Sequence, residues 1–575
     1  MPVTFSFRRA ATATLALSLA FSAGAPVVAQ EPAGAYLAGR AATYASDFAA
    51  AADYYTRALV RDPQNAVLME SVVFAQLALG ELRRALPVAQ RMWEEGINSQ
   101  VANMVMVGGL SLEQDYQALL DRDLAAQGVG PLVDGLTMAW AHMGVGDVTQ
   151  ALAQFDRVAE DDSLRMFALY HRALALASIG DFEAAEAMFA ADNGRLSLIT
   201  RRAVLARVQI LSQLERNDQA MELLTEAFGP QLDPGLNNVF ERLTAGETLP
   251  FTLAATVTDG IAEVFFTVAS ALSGDAANDY VLVYARMASE LSPSHVDAVL
   301  LSAELLDNLG RYELSVATYK QVSPRHPDYH AAEMGRAEAL RRAAKPEAAI
   351  AVLDQLTREF PTQPTVYSAL GDLLRQQEDY AKAVTAYDKA LSFMDKDRAA
   401  TWFLFYARGI SLERLHQWDR AEADFRTALK LNPNRPEVLN YLGYSLVEKQ
   451  IKLDEALDMI ERAVAARPDS GYIVDSLGWV LYRLGRYDEA VAHMEQAVEL
   501  MPVDAVVNDH LGDVFWAVGR YLEAEFQWKR ALSFVDPEDA DSEADPDRIR
   551  SKLERGLDQV LTEEGAEPLK LANDG

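Results

Sequence analysis

Residues 477–490 read Leu477-Gly478-Trp479-Val480-Leu481-Tyr482-Arg483-Leu484-Gly485-Arg486-Tyr487-Asp488-Glu489-Ala490. One period on, the chain repeats the pattern as Leu511-Gly512, then Val518-Gly519-Arg520-Tyr521-Leu522-Glu523-Ala524, and one period back it opens at Leu442-Gly443. Prolines keep the same time: Pro293, Pro327 and Pro361 are 34 apart, and Pro433, Pro468, Pro502 and Pro537 follow at steps of 35, 34 and 35. Proline stops a helix by removing a backbone donor and by steering the residue before it out of helical geometry. Each period therefore reads helix, short turn, helix, proline turn. Small residues at Gly443, Gly478 and Gly512 on the first helix, and at Ala456, Ala490 and Ala524 on the second, let two axes approach to about 8–10 Å. Ala463, Ala497 and Ala531 are placed to meet the next unit. The expected fold is all-α.

These residues resemble tetratricopeptide (TPR) repeats, whose unit is a 34-residue pair of antiparallel helices. The resemblance implies an α-solenoid, a right-handed superhelix of helix pairs. In the same phase lie Arg57-Ala58-Leu59 before Asp62-Pro63, and Ile179-Gly180-Asp181-Phe182-Glu183-Ala184-Ala185 before Phe189. About fourteen units fit between Pro32 and Pro537 at this period. The organisation expected is an N-terminal array over 30–228, degenerate at 97–130 around Gly108-Gly109. An inserted loop and hinge follow at 229–258, where Gly229-Pro230 and Asp233-Pro234-Gly235 fall, and then a C-terminal array over 259–537. An acidic linker at 538–547, a capping helix at 548–562 and a tail at 563–575 complete the chain.

The first 29 residues read as a signal peptide. Arg8 and Arg9 precede an apolar run from Ala10 to Ala25, and Val27-Val28-Ala29 offers small residues for cleavage after Ala29. That run is shorter than the roughly twenty residues a bilayer span needs. Export to the periplasm is the expected location.

The 575 residues carry 84 acids against 52 Lys+Arg, a formal charge of -32, and no cysteine. Without a cysteine thiol there is no disulfide scaffold, thiolate metal site or cysteine nucleophile. The acidic balance argues against nucleic acid as a partner, since phosphate backbones select basic faces. No phosphate loop, nucleophile elbow or zinc-binding His-Glu-x-x-His helix occurs, so no catalytic residue, metal or cofactor is expected. His326 and His330 have metal-ligand spacing, but Pro327 breaks the helix between them. The acidic run from Asp536 to Asp547 lacks the glycine and alternation of a calcium loop and reads as a solvated linker.

Aromatic residues divide into two sets. Tyr55, Phe155, Phe189, Tyr319, Tyr387, Phe425 and Phe526 fall on second helices at the phase of the core. Phe403, Tyr406, Tyr444, Tyr472, Trp479, Tyr482 and Trp516 fall on first helices, on the face that lines the groove in TPR proteins. Groove aromatics give large contact area for little lost entropy. Tyr444, Trp479, Tyr482 and Trp516 are placed either to face a ligand or to interlock neighbouring first helices. Arg375, Arg414, Arg483, Asp475, Asp509 and Asp513 would be their polar companions. Where some TPR proteins carry a Lys/Asn clamp for a C-terminal carboxylate, this chain has Asn440 and Tyr444, Asp475 and Trp479, Asp509 and Asp513. An extended apolar or mixed peptide is the better expected ligand.

Export, size and repeats running nearly end to end resemble the LbcA-type adaptors. That resemblance implies a scaffold, peripheral to the outer membrane, which binds a carboxyl-terminal processing protease and presents substrates to it. The lipidated N-terminal cysteine of that family has no counterpart here. Two other readings remain open: a glycan-binding or assembly role in polysaccharide export, with aromatics stacking on sugar rings, and an enzyme with a site in 97–130 or 229–258.

Overall fold

The computed structural model describes residues 31–191, 196, 200–536, 544–566 and 569. The leader read at 1–29, and most of the acidic linker and tail, lie outside the described residues. Every regular element among the described residues is a helix, and none is long and apolar enough to cross a membrane. The chain divides into two compact units, one ending at Ala339 and the other beginning at Leu340.

In the second unit the sequence period becomes geometry. First helices Trp402–Arg414, Pro436–Glu448, Gly471–Arg483 and Ala505–Ala517 alternate with second helices Trp418–Leu431, Leu453–Ala466, Tyr487–Leu500 and Tyr521–Phe534. Each first helix packs on its own second helix. Pro436–Glu448 also touches Gly471–Arg483, which in turn touches Ala505–Ala517. The glycines sit against large side chains of the partner helix: a Cβ on Gly371 or Gly409 would come within 2.7 Å of the Tyr387 or Phe425 ring, and one on Gly478 within 2.7 Å of Met494 Cγ. On Gly512 it would run into Trp528. Ala456, Ala463, Ala490, Ala497, Ala524 and Ala531 are all fully buried. Between paired helices the turn residue takes positive φ, +76° at Gly485 and +78° at Gly519, a conformation only glycine adopts without strain. Gly478→Leu is expected to overpack the Met494 contact and cost roughly 1 to 3 kcal/mol; an unchanged urea midpoint would show that this junction has slack.

Of the aromatics expected in the core, Tyr55, Phe155, Phe189, Tyr319, Tyr387 and Phe425 are buried. Phe526 is not: it is 59% exposed, and Trp528, two residues on, fills the core against Gly512. The expected capping helix is two helices, Pro546–Arg555 and Leu557–Glu563, separated at Gly556 with φ +83°.

The first unit is more than an array of neighbours. After the pairs that begin the chain, helices Val257–Leu272 and Asn278–Leu291 return to pack on much earlier elements. The former lies on Pro131–Gly144, and the latter on Ala66–Ala78 and Gln100–Leu112. Gly260 gives Trp140 room, Gly108 does the same for Met287, and Gly109 for Leu86. Across the return, Tyr280 Oη donates to Gln100 Oε1 at 3.1 Å and Arg286 Nε to the Ala78 carbonyl at 3.3 Å. The degenerate stretch 97–130 is thus the docking surface for the returning helices, which accounts for its lost signature. The expected hinge at 229–258 is not where the chain divides. Its helix Pro234–Thr244 buries Leu236 and Leu243, and Leu249 follows, in one cluster with Val204, Val208, Leu211 and Leu224.

A buried polar network holds these elements. Glu263, 1% exposed, accepts from Tyr170 Oη at 2.8 Å, from Arg202 at 2.7 Å and lies 3.0 Å from His295 Nε2; Arg202 also pairs with Asp297 at 2.6 Å. Burial alone would raise the Glu263 carboxyl, but Arg202 and His295 hold it well below the usual range. Nearby, His171 accepts from Trp140 Nε1 through Nδ1 at 3.2 Å, and burial pushes it down to about 4. The folded protein refuses a proton that the unfolded chain takes up, so stability contributed by neutral His171 is full above about pH 6.5 and lost as pH falls towards 4. The amount is on the order of 3 kcal/mol. Denaturation midpoints at pH 7, 5.5 and 4 should fall more steeply for the wild type than for His171→Asn, whose Oδ1 can still accept from Trp140; parallel profiles would contradict this.

Candidate functional site

The thirteen groove candidates separate into three groups. Arg414, Tyr444, Tyr472 and Asp475 come together, lining one cavity of 480 Å³ between successive first helices. Asn440, Tyr441, Ser476 and Asp504 are among the other residues that line it. Tyr472 is 48% exposed at its rim. Asn440 is 8% exposed, and its Oδ1 accepts no hydrogen bond from the described chain.

The second group does not line the cavity. Tyr406 packs on Trp402, Phe425 and the cavity residue Tyr441, with ring centroids near 6 Å, and burial pushes its hydroxyl up to about 12. Phe403 is 41% exposed and lies edge-on to Trp402. Arg375 is engaged within its own repeat, donating from Nε to Tyr387 Oη, which donates to Asp372 at 2.8 Å.

The third group is occupied by the protein itself. Trp479 is 8% exposed, stacks on Tyr482 and on His510, and donates from Nε1 to Glu448 at 2.7 Å. Of its two expected roles, it interlocks neighbouring first helices. Arg483 lies over its ring at 5.9 Å. Tyr482 is buried as well. Asp509 and Asp513 face the C-terminal helix: Lys552 Nζ, fully buried, donates to Asp509 at 2.8 Å and to Asp513 at 2.6 Å. Trp528 Nε1 donates to Asp513 at 2.9 Å. Burial, the larger influence, raises the Asp509 carboxyl even with Lys552 beside it. Trp516 donates to Asp558 at 2.9 Å and lies against Gly556. The groove face is therefore open at the cavity; beyond it Trp479 is covered by its neighbours, and Asp509, Asp513 and Trp516 by the chain's own C-terminal helices. A long aromatic platform for sugar rings is not available at Trp479.

Sequence reading missed Lys552 and His510 as anchors. A signal existed: Lys552 lies three residues after Ile549 on the buried stripe of an amphipathic helix, opposite two aspartates four apart.

Family models described as tetratricopeptide repeat match residues 136–196, 300–364, 334–401, 406–471 and 474–502. These stretches are tetratricopeptide repeats. A TPR repeat-containing protein of Pseudomonas aeruginosa is 28% identical over 169 residues, covering 29% of this chain and 28% of that protein. The human protein O-mannosyl-transferase TMTC1 is 27% identical over 170 residues, 30% of this chain and 19% of that one. The chain thus spans less than a third of the length of these curated relatives. Among solved structures, the Cut9-Hcn1 hetero-tetramer of APC/C is similar at 14% identity with TM-score 0.37, covering 92% of this chain and 96% of that one. YrrB, a TPR protein with an unusual peptide-binding site, is similar at 21% identity with TM-score 0.27, covering 32% and 93%. Over these stretches the chain carries the paired helices of a TPR scaffold.

Proposed function

We propose that this protein is an exported adaptor that holds a polypeptide segment on the first-helix face of its second unit and presents protein substrates to a carboxyl-terminal processing protease, with no turnover of its own. The observation that carries the reading is the cavity at Tyr444, Tyr472 and Asp475, a stretch of that face which the chain leaves open beside the part its C-terminal helices cover. A concave pocket in which aromatic surface and convergent polar groups meet is a usual form of recognition site. The leader-like N-terminus and the resemblance to LbcA-type adaptors support the envelope location and the protease partner.

The test is a photo-crosslinking residue at position 472, expressed in the native envelope, with captured proteins identified by mass spectrometry. A processing protease or its substrates should be recovered, and the same residue placed at the outward-facing position 522 should recover neither. Equal recovery from both positions, or none from 472, would remove this reading.

A further inference from the structure

Three successive first helices carry equivalent acceptors at Asn440, Asp475 and Asp509. Two of them receive a nitrogen donor from the element that follows. Asp475 is met by His510 Nδ1 at 3.1 Å and Asp509 by Lys552 Nζ at 2.8 Å. At Asn440 the series stops. The position corresponding to His510 on the following helix is Ser476, too short to reach across, and its Oγ donates back to the Tyr472 carbonyl of its own helix at 2.9 Å. Ser476 instead lines the open cavity, and Asn440 Oδ1, buried, is left without a donor from the described chain. Leaving a buried acceptor unpaired is unfavourable, and a ligand N–H that reaches it relieves that state.

Charge narrows the donor further. The cavity is lined by Glu413, Glu448, Asp475 and Asp504 against Arg414 and Lys449. On the neighbouring helix the protein shows what such a face accepts, since Lys552 is seated there by its own carboxylates. Building on the adaptor reading above, we propose that this cavity receives a lysine or arginine side chain of an extended partner segment. The side chain's N–H donates to Asn440 Oδ1 and its aliphatic stem lies along Tyr444 and Tyr472. A free C-terminal carboxylate does not suit a site with this excess of acids.

The test uses the full chain and short synthetic peptides with blocked ends in three sets, lysine- or arginine-bearing, neutral and glutamate-bearing, plus a neutral set with a free carboxylate. The basic set should bind best. Ser476→His, which supplies the missing imidazole, should weaken it by about tenfold or more while melting as the wild type does, because the next helix carries His510 at this position. The variant leaves the formal charge at -32, so a general attraction of basic peptides to an acidic chain would survive it. Asn440→Leu provides a second variant and should weaken the basic set similarly. Equal binding of the neutral set, preference for the free carboxylate, or basic binding indifferent to both variants would overturn the proposal, as would loss of self-association as the only effect of Ser476→His. If crosslinking from position 472 captures a partner but peptides show no basic preference, this inference falls and the adaptor reading stands; if 472 captures nothing while basic peptides bind as described, the reverse holds.

Discussion

Arg202→Met is expected to destabilise the first unit by roughly 3 to 5 kcal/mol, because it leaves Glu263 buried, and Asp297 partly buried, without the guanidinium that bridges them. Arg202 alone bridges both carboxylates, at 2.7 and 2.6 Å, and its helix Arg201–Gln213 is joined through them to helices Val257–Leu272 and Val296–Asn308. Amide exchange followed by mass spectrometry would show protection lost first in Val257–Leu272. The double variant Arg202→Met, Glu263→Met should recover part of the loss, since two apolar residues no longer leave a charge unpaired. A single variant that exchanges like the wild type would show that the network contributes nothing net. The arrangement also predicts sensitivity to acid. Glu263 and Asp297 are both held below the ordinary carboxylate range, so what they contribute is present above that range and lost as pH falls through and below it.

Lys552→Met should have a comparable local effect at the other end of the chain. Asp509 and Asp513 would remain buried, 5% and 1% exposed, with no ammonium between them, a cost again of roughly 3 to 5 kcal/mol. The helix Pro546–Arg555 should detach, and Trp516, whose indole N–H is held by Asp558, should become accessible to a fluorescence quencher. Here the pH dependence has the opposite sign. A carboxyl raised by burial, as Asp509 is, favours its protonated form when folded, so the penalty in the variant should shrink as pH is lowered from 7 towards the carboxylate range. Unaltered quenching at pH 7 would mean that Lys552 is not the anchor of this end.

The repeat architecture of the second unit could be read from the chain because its determinants are local. Gly478 and Ala490 state the approach of two helices within one period, and Gly485 states the turn between them. Phe526 was misplaced because Phe526 and Trp528 are both aromatic and only two positions apart, and the contact with Gly512 decides between them. What could not be read was the pairing of residues far apart in sequence. Tyr280 with Gln100 and Arg286 with Ala78 span about two hundred positions, and neither spacing nor composition marks them. The same holds for the candidate site: Tyr444, Tyr472, Asp475 and Arg414 lie on the equivalent face of three successive first helices by periodicity, whereas the occupation of Asp509 and Asp513 depends on a helix arriving from beyond the last repeat.

The returning helices also set the order in which this protein is able to fold. A stack of repeats grows as it is made, each hairpin completing the one before it. Here the elements from Ala66 to Gly144 keep apolar surface uncovered until residue 291 has been synthesised. Contacts of such high sequence separation are slow to form, and exposed partial structures attract chaperones or one another. A nascent chain stopped at 228 would therefore be a half-built object rather than a shorter solenoid, and the first unit, although synthesised first, has to wait for its own middle.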